Sequence, residues 1–253
     1  MTAPLLQIVG LTKRFGGVIA SDDITLDIPA GEFHAVIGPN GAGKTTLTGL
    51  LAGEIEPDGG RVRFDGADIT ALAVDRRSHL GLARSFQITS LFPDFTALDN
   101  VALAVQAHCG HSFRFWHDAR RDGDLREAAL VALDRVDLGE RARMRVAALS
   151  HGEHRQLEIA MALATRPRLL LLDEPMAGMG AEESTRMVAM LRALKGGVTV
   201  VLIEHDMEAV FALADRITVL VYGRVIASGK PEAIRADAAV REAYLGEQEA
   251  THA

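Results

Sequence analysis

The sequence predicts an α/β fold, a mostly parallel β-sheet core interrupted by a block of helices. Leu169 to Asp173 and Val198 to Ile203 are apolar runs without polar alternation, the pattern of strands buried on both faces. Ala181 to Leu194 lies between them as a helix, which makes a β-α-β unit. A third strand, Phe33 to Ile37, stops at Gly38 and leads through a glycine-rich turn into a helix from Lys44 to about Ala52. From about Thr89 to Thr165 the sequence has helical character with no convincing strand, which marks an insertion.

The remaining elements fit around that core. From Leu5 to about Val36 the pattern is short and strand-like, with Ile24, Leu26 and Ile28 alternating with Thr25 and Asp27. Arg61 to Asp65 is a further short alternating strand, and Val219 to Tyr222 with Arg224 to Ser228 forms a hairpin across Gly223. No internal repeat or low-complexity stretch appears, and 253 residues suit one large domain or a core with a modest subdomain.

Composition excludes several classes. With 48% hydrophobic residues the chain can bury a core, so general disorder is not expected. A net charge of -7 argues against a nucleic-acid surface, and the Arg141, Arg143 and Arg145 cluster reads as a solvated helix end or loop. The longest apolar runs fall far short of the roughly 18 residues a membrane-spanning helix needs. Met1 to Gly10 is too short for a signal segment, and the single Cys109 cannot form an internal disulfide, which fits a reducing compartment.

The chemistry begins at Gly38, Pro39, Asn40, Gly41, Ala42, Gly43, Lys44 and Thr45, with Thr46 following, a match to G-x-x-x-x-G-K-[ST]. Glycines let backbone N–H groups turn inward around phosphate oxygens with no Cβ in the way. Lys44 supplies a point charge for the outer phosphates and the Thr45 hydroxyl can ligate Mg²⁺, while the helix that starts here aims its positive end at the anion. A chance match arises in roughly one chain of this length per hundred. The setting between a buried strand and a helix makes chance a weaker explanation still.

A second site lies at the end of Leu169 to Leu172, where Asp173 and Glu174 precede Pro175. Such a pair is also common at an ordinary strand-to-loop junction. In a chain with a phosphate loop, the strand-end Asp173 would hold Mg²⁺ through water and Glu174 would accept a proton from an attacking water. About two dozen residues earlier stands Leu149-Ser150-His151-Gly152-Glu153. Ser150 and Glu153 have the spacing of a capping box, and Leu157, Ala160, Met161 and Ala164 make an apolar stripe, so a helix is predicted to start at Ser150.

These three motifs, in this order, resemble the phosphate loop, signature and acidic strand of the ABC ATPase family, and the likeness runs from about Leu5 to Gly246. The resemblance implies a P-loop NTPase core with an N-terminal antiparallel β subdomain and an α-helical insertion. In those terms residues 1–87 and 166–246 form the core and about 88–165 the helical subdomain. It also implies that Ser150 and Gly152 contact the γ-phosphate of ATP held by a second subunit. Gln87 resembles the glutamine that senses Mg²⁺ and the attacking water, and His205 the switch histidine at the γ-phosphate. Phe15, before Gly16-Gly17, resembles the aromatic that stacks on adenine. This sequence departs from the family pattern at His151, where Gly is usual, at Glu153, where Gln is usual, and at Gly180, where most members carry an Asp that couples the two ATP sites.

A finer resemblance, to the ATP-binding subunits of branched-chain amino-acid importers, rests on five stretches. They are Phe15-Gly16-Gly17, Arg84-Ser85-Phe86-Gln87, Leu157-Glu158-Ile159-Ala160, Glu174 to Met179 and Ala243-Tyr244-Leu245-Gly246. It implies a second cassette, two membrane-spanning permease subunits and, indirectly, a solute-binding protein as partners, with the chain on the cytoplasmic face of the membrane. Related urea importers share a Leu-Ser-His-Gly signature, so that cargo remains an alternative. A non-transport ABC ATPase would carry two cassettes or a long coiled-coil insertion, and a phosphate-loop kinase would need neither the signature nor His205. Residues His108 to His117 hold three histidines, Cys109 and three aromatics, but their spacing matches no zinc pattern. They read as a loop covering local core, or as a docking patch for a membrane subunit.

Overall fold

The computed structural model describes residues 3–85, 91–109 and 122–243. Two sheets form, as the two strand patterns require. The N-terminal strands β1 (Leu6–Phe15) and β2 (Val18–Ile28), with β4 (Gly59–Phe64) and β5 (Ala67–Asp68), make an antiparallel sheet ordered β2-β1-β4-β5. The six-stranded sheet is ordered β10-β9-β3-β8-β7-β6. Its strands are β3 (Phe33–Ile37), β6 (Leu82–Arg84), β7 (Leu169–Asp173), β8 (Thr199–Ile203), β9 (Arg216–Val221) and β10 (Arg224–Gly229). All neighbours in it are parallel except the β9–β10 hairpin.

Period-2 alternation sorts the central strands between two cores. Leu169 and Leu171 of β7, with Val201 and Ile203 of β8, pack with the antiparallel sheet and α1 (Lys44–Ala52). Leu170 and Leu172, with Val200 and Leu202, pack on the opposite side. There they meet α3 (Ala97–Cys109), α4 (Gly123–Asp134), α5 (His151–Ala164) and α6 (Ala181–Ala193). The helical character expected over 89–165 is observed in its described part, and Arg141, Arg143 and Arg145 are exposed there as anticipated. The smaller α7 (Met207–Leu213) and α8 (Pro231–Ala236) cover β9 and β3 through Val210 and Ile234.

Several short elements went unread in the sequence, β5, α7 and α8 among them. β6 has three residues and α2 (Val74–His79) six, both shorter than the windows in which a period shows. α2 nevertheless carries Arg77, a guanidinium 1% exposed. Its Nη1 donates to the Leu50 and Leu51 carbonyls at 2.7 Å each, its Nη2 to Thr70 O at 2.9 Å and its Nε to Leu72 O at 2.8 Å. The positive fork thus satisfies carbonyls at the C-terminal end of α1, where a cation also complements the helix dipole. Burial lowers its pKa. A lysine has one ammonium where Arg77 has a planar fork and leaves several of these buried carbonyls unpaired. Arg77→Lys is expected to cost about 3 kcal/mol of stability, read as a lowered urea midpoint at unchanged slope.

Candidate functional site

The carboxyl ends of β3, β8 and β7, neighbours in the parallel sheet, bring the sequence motifs side by side. This edge is where ligands bind in open α/β sheets. After β3 comes the phosphate loop, and its glycines sit where side chains cannot. A Cβ on Gly38 (φ +155) would lie 2.1 Å from the Leu220 carbonyl oxygen, and one on Gly43 (φ +101) 2.1 Å from that of Ala20. Backbone bonds lock the curl: Ala42 N donates to Pro39 O at 3.1 Å, Gly223 N to Ala42 O at 2.9 Å and Asp22 N to Gly223 O at 2.9 Å. The Lys44 ammonium points into the loop and donates to Gly38 O at 2.6 Å and Pro39 O at 2.9 Å. Thr45 is exposed on the first turn of α1 and Thr46 is half-buried. That turn holds no acidic residue, so its positive end is undiminished.

At the end of β7, alternation puts Asp173 on the same side as Leu169 and Leu171, which face α1. Asp173 is 6% exposed and accepts from Arg84 Nη2 at 2.9 Å, while Arg84 Nη1 pairs with Glu54 just beyond α1. Burial raises the Asp173 pKa, opposed by the Arg84 charge and hydrogen bond. Glu174 adopts φ +48, a left-handed conformation uncommon outside glycine, and its N–H donates to Ile203 O at 2.9 Å. Its carboxylate is 3.9 Å from Nδ1 of His205, whose side chain is 65% exposed. Glu204, 1% exposed, accepts from the backbone N–H groups of Met176 and His205.

The capping box at Ser150 is present in full. Ser150 Oγ accepts from Glu153 N at 3.2 Å and Glu153 Oε2 accepts from Ser150 N at 2.8 Å. The departure at Glu153 therefore keeps a capping function that glutamine also serves. Ser150 and Gly152 stand beside Ala177 to Glu183 of the same chain: His151 Nε2 lies 3.3 Å from Ala177 O, and a Cβ on Gly152 would be 3.3 Å from Glu183 Oε1. Ser150, Gly152, Met179 and Glu183 help line an open cleft of about 860 Å³. Gly180 is the N-cap of α6 with no side-chain cap, a position where an Asp side chain would accept from the first turn.

Phe15, at the end of β1, is half exposed, with the Lys13 ammonium 5.6 Å from its ring centroid. Gln87 lies outside the described residues, as do Phe86, Tyr244 to Gly246 and residues 110–117 of the histidine and aromatic segment. His108, which is described, stacks on His79 with ring centroids 5.2 Å apart. Arg84, Glu54 and Glu204 were missed in the sequence. Arg84 appeared there only as a letter of a resembling stretch with no role given to it, and Glu204 left a trace as a charged residue directly after a buried strand.

The family model described as ABC transporter matches residues 21–177, and one described as branched-chain amino acid ATP-binding cassette transporter matches residues 224–250. The high-affinity branched-chain amino acid transport ATP-binding protein BraF of Pseudomonas aeruginosa is 40% identical over 98% of this chain and all of its own length. The solved structure of the ADP conformation of MJ1267, an ATP-binding cassette of an ABC transporter, superposes with a TM-score of 0.86. It is 29% identical over 97% of this chain and 100% of that one. The dimeric post-hydrolysis state of the cassette MJ0796, bound to ADP and Pi, covers 89% of this chain and 98% of its own, with TM-score 0.74 and 27% identity.

Proposed function

The chain belongs to the ABC transporter family of ATP-binding cassettes, and from that premise we propose that it hydrolyses Mg-ATP to power import of branched-chain amino acids. The observation that carries the reading is the row of motifs on one sheet edge: phosphate loop after β3, His205 after β8, Asp173 and Glu174 after β7. The name and end-to-end similarity of BraF support the cargo.

In this reading the loop amides and Lys44 cradle the phosphates of ATP, with Phe15 beside the adenine. Thr45 and Asp173 offer only oxygen donors, a set suited to a hard cation, so they would hold Mg²⁺, with Gln87 beside it. The metal would neutralise charge on the outer phosphates. Glu174 takes the proton of the attacking water, and Lys44 and His205 steady charge on the phosphoryl group. Ser150 and Gly152, at the positive end of α5, would contact the γ-phosphate bound by a partner cassette, and the MJ0796 dimer supports such pairing. Residues 1–87 and 166–246 serve as nucleotide-binding core and about 88–165 as the helical subdomain. No helix of the described residues is long and apolar enough to cross a membrane. By its likeness to transporter ATP-binding proteins, the chain would work at the cytoplasmic membrane face through two permease subunits, supplied by a solute-binding protein.

Affinity purification of the tagged chain from its native membranes tests this. Two polytopic membrane proteins and a cassette, with uptake of leucine, isoleucine or valine lost on deletion, are the expected result. Uptake of those amino acids unchanged with urea uptake lost would move the cargo to the related amide importers, and ribosomal or DNA-repair partners alone would end the transport reading.

A further inference from the structure

Glu204 takes no part in the mechanism above, yet its buried carboxylate is bonded to both loops that do. Oε1 accepts from Met176 N at 2.9 Å, in the loop that follows Glu174 and Pro175. Oε2 accepts from His205 N at 3.0 Å and Asp206 N at 3.5 Å, and it lies 3.7 Å from His205 Nδ1. One side chain thus grips the β7 loop with one oxygen and the β8 loop with the other. Both loops need such a grip. Glu174 holds φ +48, which persists only where neighbouring contacts over-determine the backbone. The His205 side chain is largely exposed, and the groups near its Nδ1 are the carboxylates of Glu204 at 3.7 Å and Glu174 at 3.9 Å.

The residue type follows from the task. Only a carboxylate offers acceptor oxygens in two directions, and a glutamine at this position would turn an N–H toward one of the two loops. Ordinary packing would favour an apolar side chain here, because burying a carboxylate is costly. Burial indeed raises the pKa of Glu204, while the three backbone N–H bonds act in the opposite direction.

We propose that Glu204 is a positioning residue for ATP hydrolysis, a clamp whose two oxygens keep the Glu174 loop and the His205 loop in register at the same phosphoryl group. The proposal rests on the roles given above to Glu174 and His205. It is distinct from a general support of the fold, which would lower stability without changing turnover per folded site.

The test is steady-state hydrolysis of Mg-ATP by the purified full chain, with rates normalised to sites that bind a fluorescent ATP analogue. Glu204→Gln is expected to lower kcat by roughly 10- to 100-fold, with KM and nucleotide affinity unchanged. In a Glu174→Gln background the same change is expected to add little, since both act on one step. Should Glu204→Gln yield no folded protein, Glu204→Thr is measured in the same way. Parental kcat per nucleotide-binding site in the folded variant, while Glu174→Gln is slow, would overturn the clamp alone. Parental turnover by Glu174→Gln would remove the base assignment and the clamp with it.

Discussion

Glu174→Gln is expected to bind ATP with the affinity of the parent and to hydrolyse it at least about a hundredfold more slowly. The substitution is isosteric and leaves the bond from its N–H to Ile203 O intact, so the loop keeps its course. It leaves Lys44 and the phosphate loop untouched, which is why affinity should hold. What it removes is the oxygen able to accept a proton, because an amide has no such basicity near neutral pH. Asp173 is a poor substitute: it is buried and already bonded to Arg84, whereas Glu174 is open to solvent beside His205. Equilibrium binding and phosphate release on the same preparation separate the two effects. Turnover close to that of the parent would show that another group takes the proton.

The parts of this site legible in the sequence are those built from consecutive residues. A phosphate loop is one turn between a strand and a helix, so its chemistry is written in eight neighbouring letters. The capping box at Ser150 spans four, and both its bonds form. The unbroken apolar run of β7 was likewise enough to read a strand that ends in carboxylates. What stayed hidden depends on residues far apart. Arg84 joins Asp173 across 89 positions and Glu54 across 30, and no local pattern announces that three-residue charge chain. Arg77 reads in the sequence as one more charged residue on a polar segment, yet the fold buries it against the end of α1. The left-handed backbone of Glu174 is equally silent, because it is imposed by the two loops around it rather than by a glycine.

The phosphate loop offers a sharper contrast within three residues. Gly43→Ala is expected to lower nucleotide affinity by at least about a hundredfold, and Gly41→Ala to weaken it far less. Both positions have positive φ, +101 and +77, which costs an L-residue roughly 1–2 kcal/mol. Only Gly43 adds a collision, since its Cβ would stand 2.1 Å from the Ala20 carbonyl oxygen while nothing lies within 4 Å of one on Gly41. That carbonyl belongs to β2, whose flanking residues Ile19 and Ser21 pair with Arg14 and Lys13 of β1, and it is also closely approached by Gly223, so the loop has little room to push it aside. Gly43 is also the N-cap of α1. Moving it redirects the first-turn N–H groups and the Lys44 stem together, so the cradle loses its donors and its charge in one displacement. Titration of each variant with a fluorescent ATP analogue, beside its thermal midpoint, measures both effects. If the two variants bind alike, the wedge between Gly43 and β2 is not what shapes the cradle. If only Gly43→Ala fails while remaining folded, close packing of the loop against the antiparallel sheet sets the phosphate site.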